Sequence, residues 1–587
     1  MTPRASHWTP QQPVRSELPA ALAACRGAFV AVGVFSGMSN ILMLTGSFFM
    51  LEVYDRVLPS RSVPTLVALV MLAAGLYAAL GVLDLIRARI MVRIGNSLDE
   101  ALSGRIYDAI VRIPLKIGNR GDALQPLRDF DNLRAFLSSA GPAAFFDLPW
   151  IPVYLGICFA FHVYIGLTAL VGMIVLVALT LLTEACMRAP VKVAAESSKR
   201  RNALAEASRR NAEALTAMGM TGRAMKRWLK ANRDYVANTE AASDVGGGFG
   251  AVSKTLRMLL QSMLLAVGAF LVINQQATGG IIIAGSIVGS RALAPIDLLI
   301  AHWKSFMAAR LGWSRLNTLL AALPVRSDPM PLEAPSQSLS AEAVCAVPPG
   351  EERVVLADVS FSLEAGAGLG VIGPTASGKS SLVRLLVGIW PPARGKVRID
   401  GAALDQWSPE MLGRHIGYLP QDVELFAGTV ADNIARFEDE PDSDLVIAAA
   451  RAAGVHDLIV NLPQGYETQV GENGSALSSG QAQRIALARA LYRDPFLVVL
   501  DEPNANLDSE GDEALTRAIR GVRARGGIVV VVAHRPSAIA AVDLILVLNK
   551  GRMHKFGPKD EVLADLAPRS IAPPRPLQVV PDTGRAV

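Results

Sequence analysis

The chain has 587 residues, 51% of them hydrophobic and 19% charged, with a formal net charge of +5. That length exceeds one ordinary domain, and so apolar a composition argues against a wholly soluble protein. No polyanion-binding run accompanies the small net charge, so a nucleic-acid partner is not expected. The four cysteines, Cys25, Cys158, Cys186 and Cys345, lack any C-x-x-C spacing, which speaks against a zinc site or a disulfide framework.

Residues 1–26 are polar and proline-bearing and do not read as a cleaved secretory signal, so the first apolar segment is expected to remain as an anchor. Gly27 to Leu51 contains no charge, long enough for a core that needs about 20 residues. A second uncharged run, Ser62 to Leu83, follows a connection at Glu52 to Arg61, and the two predict a transmembrane hairpin. Leu148 to Thr183 holds 36 residues without a formal charge, which predicts two spans turning near His162-Val-Tyr164. Met258 to Ser290 repeats the pattern around Asn274-Gln-Gln-Ala-Thr-Gly-Gly280, giving six spans in all. The segments 84–142 and 184–257 are long, helix-compatible and basic, with Arg87, Arg89, Arg93, Arg105 and Arg112 in the first and Lys199, Arg200, Arg201, Arg209 and Arg210 in the second. The short turns carry little positive charge beyond Arg56 and Arg61, so the long loops and both termini are expected on the cytoplasmic side. Arg291 and Asp297 interrupt the sixth span, either facing a polar pathway or marking a helix that leaves the membrane early. A proline- and serine-rich linker is expected over 324–340, and a disordered tail over 566–587.

Gly373-Pro-Thr-Ala-Ser-Gly-Lys-Ser380 stands between an apolar run ending in Val371-Ile372 and a helix-like stretch from Leu382, and fits G-x-x-x-x-G-K-[ST]. In such a loop backbone N–H groups and the helix N-terminus surround a phosphate, Lys379 reaches the β- and γ-phosphates, and the Ser380 hydroxyl ligates Mg²⁺. Phe496-Leu-Val-Val-Leu500 before Asp501-Glu502 reads as a buried strand that delivers one carboxylate to the metal and one to an attacking water.

Leu477-Ser-Ser-Gly-Gln481, Gln421, Asp508 and His534 complete an order that resembles the ATP-binding-cassette (ABC) proteins: Walker A loop, Q-loop, signature, Walker B, D-loop and switch histidine. The resemblance implies a polytopic α-helical membrane domain of six transmembrane helices, ABC exporter type, fused to an α/β P-loop ATP-binding cassette. It implies ATP and Mg²⁺ as cofactors, held by Gly373, Pro374, Thr375, Ala376, Ser377, Gly378, Lys379, Ser380, Ser381, Gln421, Ser478, Ser479, Gly480, Gln481, Asp501, Asp508 and His534, with Ser380, Gln421 and Asp501 toward the metal. Glu502 is implied as general base, His534 as the γ-phosphate contact, and Gln421 as a contact to metal or water that senses the membrane domain. Ser478 and Gly480 would touch the γ-phosphate bound by a second subunit, which implies a homodimer. Two positions depart from the family: Ser479 replaces the first glycine of L-S-G-G-Q, and Val347-Pro348-Pro349-Gly350 stands where an adenine-stacking aromatic is usual.

Thr468-Gln-Val-Gly-Glu-Asn-Gly474 is similar to a segment of ABC exporters. Met50 to Ser62, Leu127 to Arg134, Phe146 to Pro152 and Arg291 to Asp297 resemble the type I secretion permeases. Asn211 to Met220 and Glu502 to Asp508 resemble the branch that exports proteases, lipases and other repeat-in-toxin proteins. That likeness implies an unfolded protein substrate with a C-terminal signal, a membrane-fusion protein and an outer-membrane tunnel as partners, and a place in the bacterial inner membrane. The expected domains are 1–26, a membrane domain over 27–323 and a cassette over 341–565, with no room for a peptidase-like domain before the first span. The alternatives are an exporter of lipid or small molecules and a cassette that serves only as a regulatory scaffold.

Overall fold

The computed structural model describes residues 17–118, 124–324, 331–471, 474, 476–533 and 537–566, except for the side chain of Ile117. The chain divides into two compact units, one of residues 1–110 and 122–324, the other of residues 111–121 and 325–587.

Six helices of the described chain are long and apolar enough to cross a membrane: α1 (Arg26–Ser60), α2 (Val63–Ile117), α3 (Gly141–Phe161), α4 (Val163–Arg210), α5 (Thr221–Ile273) and α6 (Gly279–Ala322). They coincide with the six spans expected from the four uncharged runs. Three of them, α2, α4 and α5, run on for 55, 48 and 53 residues, because the basic segments that follow or precede the spans keep a helical pattern. The turns lie at His162 and between Ile273 and Gly279, as the sequence suggests. The first hairpin is tight: α1 continues through a π-helical turn at Val53–Val57 to Ser60, and the chain reverses at Arg61, a left-handed residue with φ of 52°. Pro59 lies in the last turn of this helix, one residue before its end.

The π turn aims Asp55 at the start of α6, where its carboxylate accepts from the Thr278 hydroxyl (2.6 Å) and the Gly280 N–H (2.9 Å). A Cβ on Gly280 would lie 2.7 Å from that carboxylate, so only glycine allows this cap between α1 and α6. Further down, Asp147 at the end of the Gly141–Asp147 segment is buried and accepts from Asn40 (2.7 Å), the Ser36 hydroxyl and Arg87 (3.4 Å), joining α1, α2 and α3. Asp129, on the short helix Gln125–Leu137, is 1% exposed and takes a two-pronged bond from Arg315. These acids belong to stretches singled out for their likeness to type I permeases, and their role here is to tie helices together.

The cassette carries two sheets. An antiparallel sheet has the order β2 (Leu356–Glu364), β1 (Ser338–Ala346), β4 (Arg394–Ile399), β5 (Ala402–Ala403). The larger has the order β10 (Arg552–Pro558), β9 (Leu544–Asn549), β3 (Gly368–Ile372), β8 (Ile528–Val532), β7 (Leu497–Asp501), β6 (Ile416–Leu419), parallel from β9 to β6. Every residue of β7 and of β8 is buried, which is why both read as unbroken apolar runs.

Candidate functional site

In a parallel sheet the strand ends that carry loops gather on one edge, and register decides which residues meet there. Val371 of β3 and Asp501 of β7 both pair with Val532 of β8, and Leu419 of β6 pairs with Leu500. Ile372, Asp501 and Gln421 therefore leave the sheet at the same edge. The loop after β3 turns back through Gly373 (φ 153°) and Gly378 (φ 99°) into α7 (Lys379–Leu386). A Cβ would lie 2.2 Å from the Leu548 carbonyl at Gly373, and 2.8 Å from the Leu356 side chain at Gly378; both glycines are required by close approach as well as by φ. Pro374, Thr375 and Ala376 are exposed around the rim of this loop, and Ser381 is half-buried in the first turn of α7.

Lys379 is 6% exposed and donates to the carbonyls of Gly373 and Pro374, each at 3.0 Å. Burial lowers its pKa, while Glu502 and Asp501 pull the other way. Asp501 is 3% exposed, its Oδ1 has no hydrogen-bond partner among the described residues, and burial raises its pKa against the opposing Ser380 hydroxyl bond. The Ser377 hydroxyl, 3% exposed, is likewise without a partner. A buried carboxylate oxygen left open beside a serine hydroxyl is a hard-oxygen donor pair that fits Mg²⁺. Glu502 is half-buried, holds φ of 52°, and its N–H donates to the Val532 carbonyl at 3.0 Å. That left-handed backbone for a glutamate stores strain where the side chain must be aimed. Gln421 is exposed two residues beyond β6, and His534 lies outside the described residues.

Ser478 caps α8 (Ser479–Leu491): its hydroxyl accepts from the Gln481 N–H (3.3 Å) and its N–H donates to Gln481 Oε1 (2.9 Å), a reciprocal capping box. Ser479 is exposed, so the hydroxymethyl at this position meets no steric resistance. A Cβ on Gly480 would lie 3.0 Å from the Asn506 carbonyl. Among the described residues the hydrogen bonds of Ser478 to Gln481 stay within the helix start, and none reaches the 373–381 loop. Asp508 caps α9 (Ser509–Ala524) through the Gly511 N–H (2.9 Å), a bond that holds its carboxyl below the usual range, and it also pairs with Arg484.

Four residues to which motif reading gives no role complete the framework. Gln483, 3% exposed, donates to the Pro503 carbonyl and accepts from the Asn506 N–H (3.1 Å), pinning the signature helix to the turn after Glu502. Asn504, 3% exposed, donates to the Ser537 hydroxyl (3.3 Å), which in turn donates to Asp512 (3.2 Å). Glutamine two residues after a signature glutamine carries no pattern of its own; only its burial marks it.

Residues 356–505 match the family model described as ABC transporter, and residues 29–288 the ABC transporter transmembrane region. The chain is 57% identical over 562 residues to the type I secretion system ATP-binding protein PrsD of Rhizobium meliloti, covering 96% of this chain and 97% of that protein. It is 30% identical over 530 residues to the cyclolysin secretion/processing ATP-binding protein CyaB of Bordetella pertussis, covering 89% and 74%. A solved bacterial Atm1-family ABC exporter with ATP bound shares the fold, with a TM-score of 0.79 at 23% identity over 92% of this chain and 97% of that one. Six apolar helices, a cassette edge shaped for nucleotide and this likeness lead to one statement: the chain is a multi-pass membrane protein that belongs to the ABC transporters of type I secretion systems, which couple ATP hydrolysis to export.

Proposed function

We propose that the chain is the permease-ATPase of a bacterial inner-membrane exporter, acting as a homodimer on an unfolded polypeptide with a C-terminal signal. In this reading it works with a membrane-fusion protein and an outer-membrane tunnel protein. The domains run as a cytoplasmic segment 1–26, a membrane domain 27–323, a linker 324–340, a cassette 341–565 and a tail 566–587. The observation that carries the reading is the buried Asp501 with an open oxygen beside Ser380, at the sheet edge that also bears Lys379 and Glu502, in a chain with six spans.

The nucleotide phosphates take the 373–381 loop. Lys379, now spent on two loop carbonyls, swings to the β- and γ-phosphates, and its lowered pKa is restored by their charge. Ser380, Asp501 and Gln421 would hold Mg²⁺, which when bound would supply charge neutralisation of the phosphate oxygens. Glu502 accepts a proton from the attacking water, and His534 steadies the γ-phosphate. Ser478, Ser479, Gly480 and Gln481 present the capped N-terminus of α8 to the γ-phosphate held by the second copy, where the helix dipole favours an anion. Asp508, fixed by Arg484 and Gly511, shapes the segment between the two sites. Closure of the dimer on ATP then moves the spans through the two long loops, with tips near Lys116 to Gln125 and Asn211 to Met220.

A deletion strain restored with Lys379→Ala or with the intact gene tests the reading. The variant is expected to accumulate in the membrane and to secrete nothing; equal secretion by both would refute ATP-driven export.

A further inference from the structure

The membrane unit contains a cavity of about 470 Å³ between α1, α2 and α6, bounded by Met43, Phe49, Met50, Val70, Tyr77 and Arg291 among others. Its walls are apolar except at two points. The Arg291 guanidinium has one polar contact among the described residues, the Met43 thioether at 3.8 Å, which is a weak acceptor. The Tyr77 hydroxyl lies over Gly46, where a Cβ would come within 2.8 Å of it, and has no hydrogen-bond partner among the described residues. Asp297, six residues beyond Arg291, is by contrast satisfied by Arg257 at 2.6 Å. Of the two ionisable residues that interrupt the sixth span, one is paired and the other presents its charge to a cavity.

Depth decides what that charge could meet. Arg291 lies twelve residues past Gly279, or roughly 18 Å along the helix. The start of α6 is fixed at the turn by Asp55. A hydrocarbon core is about 30 Å thick, so with the turn before Gly279 at its edge this guanidinium would sit near the middle, away from the lipid phosphates of either layer. An unpaired cation at that depth is costly, and it persists where it serves a passing anion. A largely apolar cavity lined by two donors matches a carboxylate on an otherwise uncharged stretch of chain.

We propose that the Arg291 cavity is a subsite for the carboxylates of an acidic polypeptide segment in transit, with Tyr77 as the second donor. The proposal rests on the export reading above, and the following measurements separate the two. Full-length protein in phosphatidylcholine nanodiscs is titrated with a short fluorescent glutamate-rich peptide and with its glutamine counterpart. The acidic peptide is expected to bind the intact protein about tenfold more tightly than the glutamine form, the worth of one charge-assisted hydrogen-bonded contact. Arg291→Gln is expected to erase that difference, and Arg291→Lys to keep most of it, which distinguishes lost charge from a lost fold. Equal binding of the acidic peptide to the intact protein and Arg291→Gln overturns the proposal. So does displacement of the peptide by phosphatidylglycerol in the intact protein alone, which would make the cavity a lipid site. In cells, full secretion by Arg291→Gln beside none by Lys379→Ala removes the subsite and leaves export standing. Full secretion by Lys379→Ala removes the export reading, while the peptide titrations still judge the cavity.

Discussion

In the cassette the buried Lys379 is held by backbone carbonyls and Asp501 by a serine hydroxyl, whereas three acids of the membrane unit are held by arginines. Lys379 rests on two carbonyls of its own loop, and Asp501 keeps an oxygen open, so both stand ready to exchange partners when nucleotide arrives. Asp147, Asp129 and Asp297 are each engaged by an arginine from another helix, two of them with further or forked bonds. Where no water can substitute, a charge must bring its partner with it. The contrast teaches that a substitution should fail differently in the two regions: in the cassette through chemistry with the fold intact, in the membrane unit through the fold itself.

The sharpest test of the first half is Glu502→Gln, which keeps size and hydrogen bonding but removes the acceptor for a water proton. ATP turnover by the purified protein is expected to fall by about 10²–10⁴-fold, with nucleotide binding retained; unchanged turnover would take the general-base role away from Glu502. For the second half, Asp147→Ala takes from Arg87 its partner on α3, leaving it Asp84 one turn away, and leaves Ser36 and Asn40 without their shared acceptor. Breaking one side of a buried pair costs about 3–5 kcal/mol, so this variant is expected to melt lower and extract poorly from membranes. A companion Asp147→Leu, Arg87→Met pair should recover much of the loss. If Asp147→Ala alone is as stable as the parent, the interhelical pair is ornamental and the comparison breaks.

The smallest effect is a pH dependence at Asp501. Its pKa is raised in the folded state, first by burial, so its contribution to stability is full below the unfolded pKa and is lost as pH rises through the folded value. In metal- and nucleotide-free protein, Asp501→Asn should melt roughly 2–4 °C above the parent at neutral pH, about 1 kcal/mol for a domain of this size. The gap should close on acidification. A gap that widens on acidification would mean the carboxylate is stabilised as an anion.

The cassette's chemistry was legible because it depends on short-range requirements. Glycine at 373 and 378, lysine at 379 and two carboxylates after an apolar strand are each demanded by backbone geometry or by phosphate charge at fixed spacing. The roles of Gln483, Asn504, Ser537 and Asp512 were not legible, since a polar side chain that braces a loop has meaning only through the group it reaches across the fold. The hairpin between the first two spans shows the same limit at another scale. Charge at Glu52 to Arg61 marked a connection, yet the helix runs on to Ser60, because capping α6 from Asp55 requires that turn to stay helical.

What the sequence by itself determined was the number of spans, the order of motifs and the family, because hydrocarbon thickness and phosphate geometry each act on contiguous residues. Only the tertiary structure decided that Asp297 is paired while Arg291 faces a cavity, and that Asp501 keeps an oxygen open. The reason is physical: the partner of a buried charge is chosen by packing between distant segments, and nothing in the residues beside it records that choice.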